Sequence, residues 1–216
     1  MASRVGLVGL LALGACVIAG LASGRPQSPS PLYTVRVDPR LCPSPTCGGY
    51  WVALANGART RCADGTTRGR CYVAKAVLAS GGAARVEDGA LVRGSLTQYA
   101  FDGVRLAALD VVAVFAPAGA APMSGGYYRV VDTGVRCVRA PCFSLRATQV
   151  NGSTRTTVSS LDLRASGASS TAIARAERAV ATKAGLLARG RFVRTADGGR
   201  MFRALRLYLR APQPRA

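Results

Sequence analysis

The chain contains no histidine. That absence excludes a Ser-His-Asp triad, a His-ligated zinc site and imidazole acid–base chemistry. Lysine is almost missing too: only Lys75 and Lys183 occur, so a Ser, Thr or Tyr nucleophile would find no other side-chain amine as base. Carboxylates are scarce, with 10 Asp+Glu against 29 Lys+Arg. Most have bland positions: Asp102 and Asp197 read as turn residues, Asp38 and Asp132 follow a strand, and Asp110 and Asp162 fall inside strands, where pairing with arginines is expected. No spacing nominates the carboxylate pair of a glycosidase. No phosphate-cradling glycine loop follows a strand, and Gly125-Gly126 and Gly198-Gly199 read as turns. The residues point away from an enzyme and call for no cofactor, leaving a carboxylate-dependent hydrolase as the weakest alternative. A charged fraction of 18% with 49% apolar residues excludes a disordered polar tail.

The N-terminus reads as an address. Arg4 is the only charge in residues 1–24; Val5 to Ala22 is an uncharged apolar run, followed by Ala22-Ser23-Gly24 and a Pro/Ser stretch. Charged start, apolar middle and small-residue exit predict a signal peptide over 1–24. Leu13-Gly14-Ala15-Cys16 fits a lipoprotein box, in which Cys16 is lipidated and the leader ends at residue 15. The apolar run is also long enough for an uncleaved anchor. All three place the remainder outside the cytoplasm, in the periplasm, outer envelope or extracellular space. Residues 25–32 then form a semi-rigid linker.

Setting Cys16 aside, six cysteines fall in three local couples: Cys42/Cys47, Cys62/Cys71 and Cys137/Cys142. In an exported chain such couples predict disulfides, though six cysteines allow 15 connectivities. An all-cysteine zinc site from Cys42, Cys47, Cys62 and Cys71 fits poorly, because its spacers are longer than structural zinc prefers.

The chain also repeats itself. Cys42, Cys47, Asn56 and Gly57 recur 95 residues later as Cys137, Cys142, Asn151 and Gly152. Arg93-Gly94 and Ala108-Leu109 recur as Arg189-Gly190 and Ala204-Leu205, and Asp102-Gly103 as Asp197-Gly198. Two copies, 33–117 and 127–212, are expected around a Gly/Pro/Ala connector over 118–126. Strand signals in the first are Tyr33–Val37, Tyr50–Ala55, Tyr72–Leu78, Ser95–Phe101 and Leu106–Phe115; in the second, Tyr127–Val131, Ser144–Val150, Thr156–Leu163, Arg191–Thr195 and Met201–Leu209. An Ala-rich stretch, Thr171–Ala188, predicts a helix capped by Ser170 and closed by Gly190. The fold class is mainly β with a helix (α+β): two tandem copies of a five-stranded OB-like small barrel, or a sandwich.

Charge is the remaining lead. The formal net charge is +19, and loss of Arg4 with the leader leaves +18. Arg191, Arg194, Arg200, Arg203, Arg206 and Arg210 crowd the last two strands, where a hairpin would put several on one anion-attracting face. The expected partners are an anionic polysaccharide, a lipid headgroup or a protein. Nucleic acid is disfavoured by export and by few stacking aromatics, and the membrane enters only through the leader or a lipid.

The stretch Cys42-Pro43-Ser44-Pro45-Thr46-Cys47-Gly48-Gly49-Tyr50, with Asn56, Cys62-Ala63-Asp64-Gly65 and Cys71-Tyr72-Val73, resembles an uncharacterised family of exported bacterial proteins of the myxobacterial type. The resemblance covers most of 33–210 and implies export and disulfides, but no activity. The expected function is an exported, non-enzymatic module that binds or organises an anionic envelope partner. The alternative is a secreted inhibitor-like protein presenting the Cys42–Cys47 loop.

Overall fold

The computed structural model describes residues 30–121 and 124–214. The segment expected to be a signal peptide and the candidate lipidation site Cys16 lie outside them. The protein is mainly β with one α-helix. The first half contains β1 (Leu32–Val37), β2 (Tyr50–Leu54), a small β3–β4 hairpin (Thr60–Arg61, Thr67–Arg68), β5 (Cys71–Val73), β6 (Lys75–Leu78), β7 (Leu91–Phe101) and β8 (Val104–Ala118). The second contains β9 (Gly126–Asp132), β10 (Leu145–Gln149), β11 (Arg155–Val158), β12 (Ser160–Asp162), α1 (Ser170–Val180), β13 (Leu186–Arg194) and β14 (Arg200–Arg210).

Separate small barrels are not what forms. The strands run in one open path, β11-β10-β9-β13-β14-β8-β7-β1-β2-β5, joined at its centre by antiparallel β14–β8 pairing from Leu207↔Ala118 to Arg210↔Phe115. Backbone groups that would be exposed at an edge of either half are satisfied by the other. Within each half the pairing scheme is the same. The first strand pairs with the second and the fourth, and the fourth with the fifth, all antiparallel. The third strand changes partner midway: β5 lies beside β2, and after Ala74, whose N–H bonds to Ala107 O at 2.8 Å, β6 runs parallel to β8. Likewise β11 lies beside β10 and, past Ser159, β12 runs parallel to β14. These pairings curl each half in the order an OB-like scheme requires, on a sheet whose overall path stays open.

The hairpin turns fall where the sequence places them. Asp102 and Gly103 both have positive φ (48° and 73°) between β7 and β8, as a tight two-residue turn demands. The helix differs from expectation. It ends at Val180, and the residues to Ala188 are a turn plus the start of β13. Ser169, not Ser170, caps it by accepting from Ala172 N at 3.3 Å. Gly185 (φ 71°), not Gly190, reverses the chain after it. Leu186, Leu187 and Ala188 are all buried as a strand against β9, which outweighs their helix propensity.

Each half has its own core, one around Val35, Val52, Val92 and Leu109, the other around Val130, Val158, Phe202 and Leu207. Tyr128, Phe192 and Phe202 interlock in the second, with ring centroids 5.0–5.4 Å apart. A third cluster joins them: Leu32, Ala55, Leu91, Val150, Leu187 and Tyr208. Two asparagines latch this junction. Asn56 Nδ2 donates to Tyr127 O (2.7 Å) and Val150 O (3.0 Å), and its Oδ1 accepts from Tyr127 N (2.8 Å). Asn151 returns the contact: Nδ2 donates to Leu32 O (2.7 Å) and Ala55 O (2.9 Å), and Oδ1 accepts from Leu32 N (2.9 Å).

Candidate functional site: an arginine cleft between the halves

The hairpin arginines divide between two faces: Arg191, Arg203, Arg206 and Arg210 share one, because the register shifts between Ala204 and Arg206, and Arg194 and Arg200 lie on the other. β13 and β14 do pair, with Arg191 opposite Arg203 and Arg194 opposite Arg200, and positions three apart on a regular stretch of strand point to opposite sides. Arg203 is ion-paired to Asp162 at 3.2 Å. Arg206 donates from Nη2 to Ala121 O at 3.3 Å, and Arg210 sits opposite Phe115 at the central seam. The expected single positive surface is therefore split by the register.

A different arginine group assembles at the junction. A cleft of about 670 Å³ is lined by Leu32, Arg93, Arg129, Thr148, Gln149 and Leu187, among others. Arg93 comes from β7 and Arg129 from β9, so the site needs both halves. Arg93 Nε is buried and has no hydrogen-bond partner. Burial, then the like charges of Arg129 and Arg210, push its guanidinium below its ordinary pKa. Among the described residues, none of the ion pairs includes Arg93, Arg129 or Arg210. A charge held this way costs free energy unless an anion meets it.

The matching position in the other half is satisfied. Arg189 stands opposite Tyr127 in the β13–β9 ladder, as Arg93 stands opposite Leu32 in the β7–β1 ladder. Arg189 donates to Gly125 O (3.1 Å) and to Tyr127 Oη (3.4 Å), with its guanidinium 5.0 Å from the Tyr127 ring centroid. Leu32 offers Arg93 neither hydroxyl nor ring. Two register positions on, Arg129 opposite Leu187 occupies the position held by Thr34 opposite Leu91. The second half thus closes its own arginine internally and contributes Arg129 to the cleft, where the first half leaves Arg93 open.

The six cysteines form the three local pairs, with Cα separations of 5.7 Å (Cys42–Cys47), 5.5 Å (Cys62–Cys71) and 5.5 Å (Cys137–Cys142). Beside the first loop, Arg40 clamps the buried Asp38 carboxylate through Nε (2.9 Å) and Nη2 (2.8 Å), and lies over Trp51. Hydrogen bonding from Arg40 holds Asp38 below the usual carboxylate range. The folded form thus keeps its proton off more strongly than the unfolded chain. The stabilisation is complete above the unfolded value of about 3.9 and is lost as pH falls through the lower folded value. The gap in urea midpoint between wild type and Asp38→Asn should therefore be constant near neutrality and shrink below about pH 4. A gap independent of pH would refute this role.

No helix among the described residues is long and apolar enough to cross a membrane. Three disulfides fit an oxidising compartment outside the cytoplasm. No curated protein and no solved structure matches the chain. A family model does match, over residues 31–214, which takes in both halves and the cleft between them. The chain therefore belongs to the family described as Domain of unknown function (DUF6748).

Proposed function

We propose that the protein is an exported, non-enzymatic binding module, built from two tandem copies, that captures an anionic ligand in the cleft between them. The observation that carries this reading is Arg93: a buried guanidinium nitrogen without a partner, on a cleft that Arg129 also lines, where the matching Arg189 makes two hydrogen bonds and a cation–π contact. The duplicate reading is supported by the shared pairing scheme and the reciprocal asparagine latch. Export is supported by the leader and the disulfides.

Arg93→Met keeps the apolar stem and removes the charge. In the absence of ligand it should unfold at the same or a higher temperature, with a gain of about 1 kcal/mol, because an unsatisfied group is gone. Sodium sulfate should raise the wild-type Tm above sodium chloride at matched ionic strength, and in Arg93→Met this excess should shrink to the general part that sulfate exclusion gives any folded protein. Equal sulfate responses in both proteins would overturn the site. Intact mass of the mature protein, reduced and unreduced, tests export, lipidation at Cys16 and disulfide count together.

A second reading, a secreted inhibitor-like protein, has one observation in its favour. Leu41 and Val138, beside Cys42 and Cys137, are fully exposed (103% and 104%) on the two pinned loops. Capture of a protein partner that is lost on Leu41→Asp with Val138→Asp, and kept in Arg93→Met, would favour it over the cleft.

A further inference from the structure

We infer that the cleft is a site for a terminal phosphate monoester in its dianionic form, carried on a small polar body; this rests on the anion-binding reading above. Charge decides the head group. Arg93 and Arg129 line the cleft. A carboxylate or a phosphodiester brings a single negative charge and leaves one of the two guanidiniums uncompensated. A phosphate monoester brings nearly two, with three acceptor oxygens to share between guanidinium forks. Size and lining decide the rest. The lining also includes the buried, apolar Leu32, Val150 and Leu187, which offer nothing to a second charged group of a ligand. About 670 Å³ is the size of a small-molecule site. Thr148 and Gln149 at its side offer hydroxyl and amide groups to a polar body, not to an acyl chain.

The Tyr127–Arg189 pair shows how such a site is shut. The Tyr127 hydroxyl and ring engage Arg189, at the position where Leu32 leaves Arg93 without a partner. Leu32→Tyr should therefore reproduce the closed arrangement at Arg93 and expel the anion while keeping every arginine.

Calorimetric titration of the full mature chain at constant ionic strength, with methyl phosphate, inorganic phosphate, dimethyl phosphate and acetate, tests the assignment. Methyl phosphate and inorganic phosphate should bind about tenfold or more tighter than dimethyl phosphate or acetate, as charge matching to a guanidinium pair requires. Their affinity should rise between pH 5 and 7, as the second ionisation near about 6 completes. Arg93→Met and Leu32→Tyr should both abolish binding, and both should keep a cooperative thermal transition. Equal binding of the four probes, still lost in Arg93→Met, would sink the monoester assignment and leave the anion site standing. Binding unchanged in both variants would sink the site itself. Preference for inorganic phosphate over methyl phosphate would reassign the ligand to the free ion.

Discussion

Replacing Asn151 with alanine is expected to be among the most damaging single changes available in this chain. The side chain donates to Leu32 O and Ala55 O and accepts from Leu32 N, so one residue satisfies three backbone groups of the other half. Each hydrogen bond is worth about 1 kcal/mol net, and backbone groups stranded beside an apolar cluster cost more than that. Asn151 also holds φ at 55°, a conformation asparagine tolerates and alanine resists by about 1 kcal/mol or more. The total comes to about 3–5 kcal/mol, out of the 5–15 typical of a folded protein. At about 2–4 °C per kcal/mol, the Tm should fall by about 6–20 °C. Asn151→Gly should recover the backbone part alone, and Asn151→Asp should keep the acceptor and lose both donated bonds. Asn56→Ala, which breaks the reciprocal latch, should be nearly as costly. The double variant should lose less than the two losses combined, because undocking the halves once removes what both asparagines hold. A Tm within a degree or two of wild type for Asn151→Ala would show that the junction is carried by the Leu32–Leu187–Tyr208 cluster alone.

These asparagines mark the boundary of what the residues reveal by themselves. Their equal spacing from the cysteine couples is visible in the chain, and so is their turn-forming habit beside glycine. What cannot be seen there is that each side chain reaches into the opposite half, because that depends on how two sheets meet, not on local pattern. The strands were legible for a similar reason. Alternation in β1 and β14 and the Asp-Gly turns are local consequences of a half-buried ladder. The helix was legible in existence and not in length: an alanine- and leucine-rich run carries helix propensity, and only burial against β9 converts Leu186–Ala188 to strand. The arginines follow the same division. Their abundance at the C-terminal hairpin is plain, but a face is set by register, and the register separates Arg191 from Arg194 and Arg200 from Arg203. Arg93 carried no signal of its own. It becomes distinctive only against Arg189, once the ladders show that leucine stands where tyrosine would satisfy it.

Replacing Gly190 with alanine should cost at least as much as losing an asparagine latch, for a purely steric reason. A β-carbon at Gly190 would lie 2.2 Å from Arg203 O and 2.9 Å from Phe202 Cζ; at Gly94 it would lie 2.1 Å from Asp110 O. Both clashes are with the backbone of the partner strand, which cannot rotate away as a side chain would. Neither glycine is in the left-handed region, so the penalty is close approach and not lost conformational freedom. Each sits at a register shift, between Arg93 and Gly94 in β7 and between Arg189 and Gly190 in β13. The extra residue is on the partner strand, Val112 in β8 and Leu205 in β14; such bulges shift the ladder locally, and the residues that stand beside the shift are the two arginines that differ between the halves. The expected loss is about 3 kcal/mol or more for either Gly190→Ala or Gly94→Ala, at the upper end of single-residue effects. Gly69→Ala, with open space at its β-carbon, should stay within about 0.5 kcal/mol of wild type. Stability measured by urea unfolding checks all three. The two bulges then part company in function. Gly94→Ala displaces Arg93 and should weaken the sulfate response of any protein that remains folded, whereas a folded Gly190→Ala protein should keep it. Unaltered stability in both variants would mean the ladders separate easily at the bulges, and the placement of Arg93 would need another cause.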